Sequence, residues 1–135
     1  MAHALLGYDG HCRNIHGHSY RLEITISGKP NSDSSSPKLG MVLDFGELKS
    51  IVKEHVLDYF DHCTVLNEKS PAGSFPELQN IFGNVLLVPY QPTCENILVE
   101  IRKRLLPHLP MGIELSILRL YETATSYAEI NQIDI

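Results

Sequence analysis

Residues 16–28 alternate with a period of two, and this stretch constrains the rest of the chain. His16, His18, Tyr20, Leu22, Ile24 and Ile26 share one parity; Ser19, Arg21, Glu23, Thr25 and Ser27 share the other. A strand sends successive side chains to opposite faces, so the pattern predicts a half-buried strand running from His18. Strand geometry carried back through Gly17 projects His16 and His18 from one face, about 6.5 to 7 Å apart along the backbone. Two imidazoles leaning together from that separation can share a metal ion. Gly17 between them lets the backbone bend or a ligand approach closely. Cys12, in a short loop upstream, sits where a thiol's pKa could fall and its reactivity rise.

Bulk properties narrow the function classes. At 135 residues the chain is expected to form a single domain, 1–135, large enough for a proper core. A net charge of −5 argues against non-specific nucleic-acid binding. No apolar run approaches the ~18 residues of a membrane span, and no basic region followed by an apolar block marks a leader. Cys12, Cys63 and Cys94 are an odd number of cysteines without a C-x-x-C. That favours free thiols in a reducing compartment, and hence a cytoplasmic location.

Along the chain, His3 is expected to end a strand whose earlier part is missing. The polar, turn-rich residues 29–39 read as an exposed connection. Gly40 to Leu43 reads as a short strand pairing antiparallel with 18–28. Asp44 with Glu47 resembles a capping box, opening a helix whose stripe is Leu48, Ile51, Val52, His55 and Tyr59 and which fades near Phe60. Residues 68–80 read as loop and 84–90 as a short buried strand or edge segment. Thr93 caps a second helix with Glu95 in its first turn; its stripe is Ile97, Leu98, Ile101 and Leu105. Alternation predicts a further strand over 112–122, and the tail from Tyr127 to Ile135 a short pairing segment. The order predicts an α+β fold with helices packed on one face of an antiparallel sheet.

Three groups of residues carry candidate chemistry. A catalytic zinc takes three protein ligands and keeps a position open, so His16 and His18 need a third. Spacing leaves His3, His11 and His62 as alternatives; His55 reads as a core histidine and His108 as an exposed one. Asp61 beside His62 has the composition of a proton-transfer pair, since a carboxylate raises imidazole basicity and fixes the tautomer; a histidine favoured by the helix dipole is the alternative. Glu122 shares parity with Leu118 and Leu120 at a strand end. An inward carboxylate there needs a partner or a ligand with matching donors, whereas a solvated strand end needs neither.

These pieces, in this order, resemble the 6-pyruvoyl-tetrahydropterin synthase and 6-carboxy-tetrahydropterin synthase family. The resemblance rests on Ala2-His3, Cys12 with His16-Gly17-His18, Gly40-Met41-Val42 with Asp44-Phe45, Asp61-His62, Leu66-Asn67, Pro92-Thr93-x-Glu95-Asn96 and Glu122-Thr123. The spacing Cys-x-x-x-His-Gly-His is similar to that of the bacterial 6-carboxy enzymes of the queuosine pathway. The resemblance implies the tunnelling fold (T-fold), an antiparallel sheet with two helices on one face, assembled as a hexamer from two trimers. It implies Zn2+ on His3, His16 and His18, with Cys12 as catalytic base and Asp61 and His62 as a relay. Glu122 would anchor a pterin ring, and Thr93 and Glu95 would line its pocket, contributed by a neighbouring subunit. The implied substrate is 7,8-dihydroneopterin triphosphate. The implied products are 6-carboxy-5,6,7,8-tetrahydropterin, acetaldehyde and triphosphate, with the pyruvoyl reaction or a non-catalytic pterin- or metal-binding role as alternatives. Two positions depart from the family: only Met1 and Ala2 precede His3, and Cys94 stands where Ser or Thr is usual.

Overall fold

The structure is a computed structural model that describes residues 1–75 and 77–132. Strands β3 (Arg21–Gly28), β6 (Ile113–Tyr121) and β7 (Tyr127–Asn131) form an antiparallel sheet in the order β3-β6-β7. Leu22, Ile24 and Ile26 turn inward from β3, as their parity requires. On β6 the inward set changes parity, from Leu115 to Leu118 and Leu120. The cause is a bulge: Thr25 pairs with Ile117 but Ile26 with Leu115, leaving Ser116 as the extra residue. An extra residue on one strand reverses the facing of all that follow. The expected tail segment is β7; residues 133–135 lie outside the described residues.

A second sheet has the order β2-β1-β4-β5, with β1 at Ala2–His3, β2 at His16–Gly17, β4 at Thr64–Asn67 and β5 at Val85–Val88. Here β1 runs antiparallel to β2, but β4 is parallel to both β1 and β5. The strand expected to run unbroken from His18 therefore starts at Arg21. Residues 18–20 carry the chain from one sheet to the other. Gly40 to Leu43 does not become a strand. It forms turns bonded back onto the preceding connection: the Met41 carbonyl accepts from the Asn31 N–H at 2.9 Å and the Gly40 N–H donates to the Asn31 carbonyl at 2.8 Å, so these backbone groups are spent on the connection rather than on β3.

The first helical run comprises α1 (Phe45–Val52), a π-helical turn (Lys53–Leu57) and α2 (Asp58–Phe60). Asp44 caps it by accepting from the Gly46 N–H at 2.6 Å. The reciprocal half of a capping box is not made: Glu47 pairs with Lys38 at 2.9 Å instead. The wider π turn advances the buried stripe by one position. Val56 and Phe60 are buried in place of the expected His55 and Tyr59, and His55 stacks on His108 at 3.5 Å between ring centroids.

Helix α3 (Glu77–Phe82) starts inside the expected loop 68–80 and runs two residues past it. Its Ile81 and Phe82 are exposed, so it carries no buried apolar stripe from which a helix could be read. Helix α4 (Cys94–Leu105) is capped by the Thr93 hydroxyl, which accepts from the Asn96 N–H. It packs against β6, β7 and the π turn. Ile97, Leu98, Ile101 and Leu105 join Val56, Phe60, Leu118 and Leu120 in one core. The fold class is thus α+β, with the helices over the antiparallel sheet.

Candidate active site

The edge where the two sheets meet brings the histidines together. In the β1–β2 pair His3 stands directly opposite His16, and cross-strand neighbours have Cβ atoms about 4.5–5.5 Å apart. His18 follows two residues later on the same side. Ring centroids lie 4.5 Å apart for His3–His16, 5.0 Å for His16–His18 and 5.5 Å for His3–His18. One potential ligand atom from each of the three falls within 4.8 Å of the others. Of the alternatives left open by spacing, tertiary structure selects His3. His11 lies in the 3-10 turn His11–Arg13, and the ring of His62 is 92% exposed.

The hydrogen bonding of these rings fits a metal. The Nδ1–H of His3 donates to the Pro92 carbonyl at 2.6 Å, and the Nδ1–H of His16 to the Asn14 carbonyl at 2.8 Å. Each bond fixes a tautomer whose Nε2 carries a lone pair, the arrangement that orients metal-bound histidines. Burial, the largest influence on His3, depresses its pKa and favours the neutral ring that ligation requires. Among the described residues, the Nε2 of His18 is buried without a hydrogen-bond partner. A buried orphan nitrogen is costly unless something accepts its lone pair, and three such imidazoles suit a borderline-soft cation such as Zn2+.

Glu122 stands beside the triad. It closes the β6–β7 hairpin, where its N–H bonds the Ser126 carbonyl at 3.0 Å and the Thr123 hydroxyl accepts from the Thr125 and Ser126 N–H groups. Its Oε1 lies 3.4 Å from His3 Nε2 and 3.8 Å from His18 Nε2. Tyr20 donates its phenolic proton to the same oxygen at 3.0 Å. Burial first, and the Glu122 charge next, push the Tyr20 phenol far above its ordinary pKa, so it stays a donor.

A cavity of about 410 Å³ opens next to this cluster, lined by His18, Tyr20, Val56, Asp61, His62 and Leu120 among others. It lies in the size range of small-molecule sites. Asp61 Oδ1 is 3.0 Å from His62 Nδ1, so the expected carboxylate–imidazole pair forms, at the cavity rim. His62 has φ +56°, a left-handed conformation uncommon outside glycine, which turns the chain sharply out of α2. The half-buried Cys12 lies in the 3-10 turn, held where its carbonyl accepts from the Leu5 N–H at 2.9 Å. It does not line this cavity. Thr93 is occupied as helix cap and Glu95 is exposed in the first turn of α4; neither reaches the cavity within one chain. Cys94 donates to the Leu120 carbonyl at 3.2 Å, and burial raises its thiol to about 11, so it is a packing residue here.

The sequence profile of the 6-pyruvoyl tetrahydropterin synthase family matches residues 1–132. The chain belongs to this family. It is 40% identical over 134 residues to the 6-carboxy-5,6,7,8-tetrahydropterin synthase of Haemophilus influenzae, covering 98% of this chain and 92% of that protein. It is 32% identical over 131 residues to the enzyme of the same name from Rickettsia felis, covering 95% and 91%. A 6-pyruvoyl tetrahydrobiopterin synthase of Dictyostelium discoideum is 36% identical over 100 residues, covering 74% and 59%. The crystal structure of an uncharacterized Wolinella succinogenes protein superposes with TM-score 0.72 at 18% identity, covering 97% and 92%; that likeness concerns the fold. Membership in this synthase family supports an enzyme acting on pterins, and the expected α+β tunnelling fold stands. No helix among the described residues is long and apolar enough to cross a membrane.

Sequence reading passed over Tyr20, although it shares the parity of the two histidines. It also passed over the carbonyls of Pro92 and Asn14, for which a sequence carries no signal because every residue has one.

Proposed function

We propose that this chain converts 7,8-dihydroneopterin triphosphate to 6-carboxy-5,6,7,8-tetrahydropterin, releasing acetaldehyde and triphosphate, in 7-deazaguanine (queuosine) biosynthesis. The observation that carries the proposal is the convergence of His3, His16 and His18, one with an orphaned nitrogen, beside a cavity with His62 at its rim. Identity of 40% and 32% to proteins named 6-carboxy-5,6,7,8-tetrahydropterin synthase supports it.

His3, His16 and His18 would hold Zn2+, which supplies a Lewis acid for the substrate's side-chain oxygens. Cys12, as thiolate, abstracts a proton from the substrate side chain on one face. His62, with Asp61 fixing its tautomer, moves a proton on the other. Glu122 accepts hydrogen bonds from the pterin amino group and ring N–H, which orients the ring and sets the side chain between the two bases. Thr93 and Glu95 act from a neighbouring subunit of a hexamer built as a dimer of trimers, which accounts for their distance from the cavity in a single chain. The protein works in the cytoplasm, where free thiols persist.

A second reading, the 6-pyruvoyl reaction, is favoured by the name of the matching family and by the Dictyostelium relative. Incubating zinc-loaded protein with the triphosphate substrate distinguishes them. Acetaldehyde release is expected; a pyruvoyl product without acetaldehyde overturns the first reading.

A further inference from the structure

The triad has a carboxylate at its side that it does not use. Glu122 Oε1 is 3.4 Å from His3 Nε2 and 3.8 Å from His18 Nε2. Carboxylate oxygens bind zinc well, and a fourth protein ligand converts an open, catalytic site into a closed, structural one. Yet Glu122 falls outside the group whose ligand atoms all lie within 4.8 Å of one another. The restraint is visible. The Tyr20 hydroxyl donates to that same oxygen at 3.0 Å, and such bonds to a charged acceptor are among the stronger ones. A phenol has one proton, so the 3.4 Å contact of the hydroxyl with His3 Nε2 is not a second donation. The Tyr20 ring stands edge-on to His3 and His18, with centroids 6.1 Å and 5.6 Å away, so it packs directly beside the two histidines.

We propose that Tyr20 is a positioning residue that holds Glu122 off the metal, keeping the fourth coordination position open for substrate. The inference rests on the three imidazoles being a metal site. It adds to that reading the reason why a carboxylate in reach of the metal remains available to a ligand. Only Oε1 is engaged in the described contacts, which leaves Oε2 to meet a ligand's N–H.

The test uses metal binding, independently of turnover. Zinc affinity is measured by chelator competition for wild type, Tyr20→Phe, Glu122→Gln and the double variant. The Co2+-loaded forms are titrated with azide and followed by visible absorption. Tyr20→Phe is expected to bind zinc at least about tenfold tighter, the worth of a freed charged hydrogen-bond acceptor. Its Co2+ spectrum should lose the response to azide. The double variant should return to wild-type affinity and regain the response, and Glu122→Gln alone should stay within about twofold of wild type. A merely structural role for Tyr20 would weaken binding rather than tighten it. Equal or weaker zinc binding by Tyr20→Phe overturns the inference. So does a drop of more than about tenfold in Glu122→Gln, which would make Glu122 a ligand already. A wild-type chain that takes up neither cation overturns the metal reading, and the inference with it.

Discussion

The Nδ1 of His3 lies 2.6 Å from the carbonyl oxygen of Pro92, 89 residues further along the chain. Pro92 is fully buried and immediately precedes Thr93, the cap of α4. The bond thus ties the first candidate ligand to the start of the helix that carries much of the core. Metal binding and folding should therefore be coupled, because a ligand that binds only the folded chain stabilises it. At a hundredfold excess of free metal over Kd the gain is about 2.7 kcal/mol. Chelator should lower the Tm of the wild-type protein by several degrees. His16→Ala, whose melt should scarcely respond to chelator, is the control, read by differential scanning calorimetry with zinc content from elemental analysis.

The three thiols should react unequally. Cys63 is 1% exposed and donates to the Phe60 carbonyl, and burial pushes its thiol up to about 11. Cys94 is similarly buried and raised. Cys12 is half-buried in its loop. An aromatic disulfide reagent at pH 7.5 should titrate one thiol per folded chain and three after unfolding. Cys12→Ala should remove the folded-state reaction and the turnover while leaving zinc content unchanged.

The same buried thiols predict a decline in stability at alkaline pH. Each keeps its proton up to about 11 in the folded chain but begins to lose it near the ordinary thiol value of 9.0 when unfolded. Between those values the folded state binds more protons than the unfolded one, so stability falls as pH rises. The contribution is fully present below about pH 9, is lost as pH passes through about 11, and is on the order of 2–3 kcal/mol per thiol. Urea melts from pH 8 to 11 should show the slope, and Cys63→Ala should make it shallower.

His62 can be tested without disturbing its turn. Asparagine adopts the left-handed conformation readily, so His62→Asn should fold with a melting curve close to wild type and hold zinc. Loss of a positioned proton carrier costs typically 10²–10⁴-fold in rate, and kcat should fall within that range. A variant with unaltered kcat would remove His62 from the reaction.

The core should be least forgiving on β6. Leu118 is fully buried on the central strand of the antiparallel sheet, opposite Ile24 of β3 and Ile130 of β7. Leu118→Ala should destabilise the chain by about 2–5 kcal/mol, measured as a shift of the urea midpoint at unchanged slope. Losing the Thr93 cap by Thr93→Ala should cost about 1 kcal/mol.

Local chemistry is what the amino-acid order determined by itself. The alternation of 16–28 set which side chains share a face. Asp44 and Thr93 announced their helix starts, because capping involves only a few neighbouring residues. Ile97 to Leu105 showed the stripe of α4. Tertiary structure decided what depends on neighbours distant in the chain. It broke the long strand at 18–20 because β2 and β3 pair with different partners, and it moved the buried face of the first helical run through a π turn. It selected His3 as third histidine because β1 lies against β2, a pairing that spacing does not encode. It also placed Tyr20 against Glu122, 102 residues away. Propensity and period are properties of adjacent residues, whereas coordination and hydrogen bonding are properties of whichever residues the fold makes neighbours.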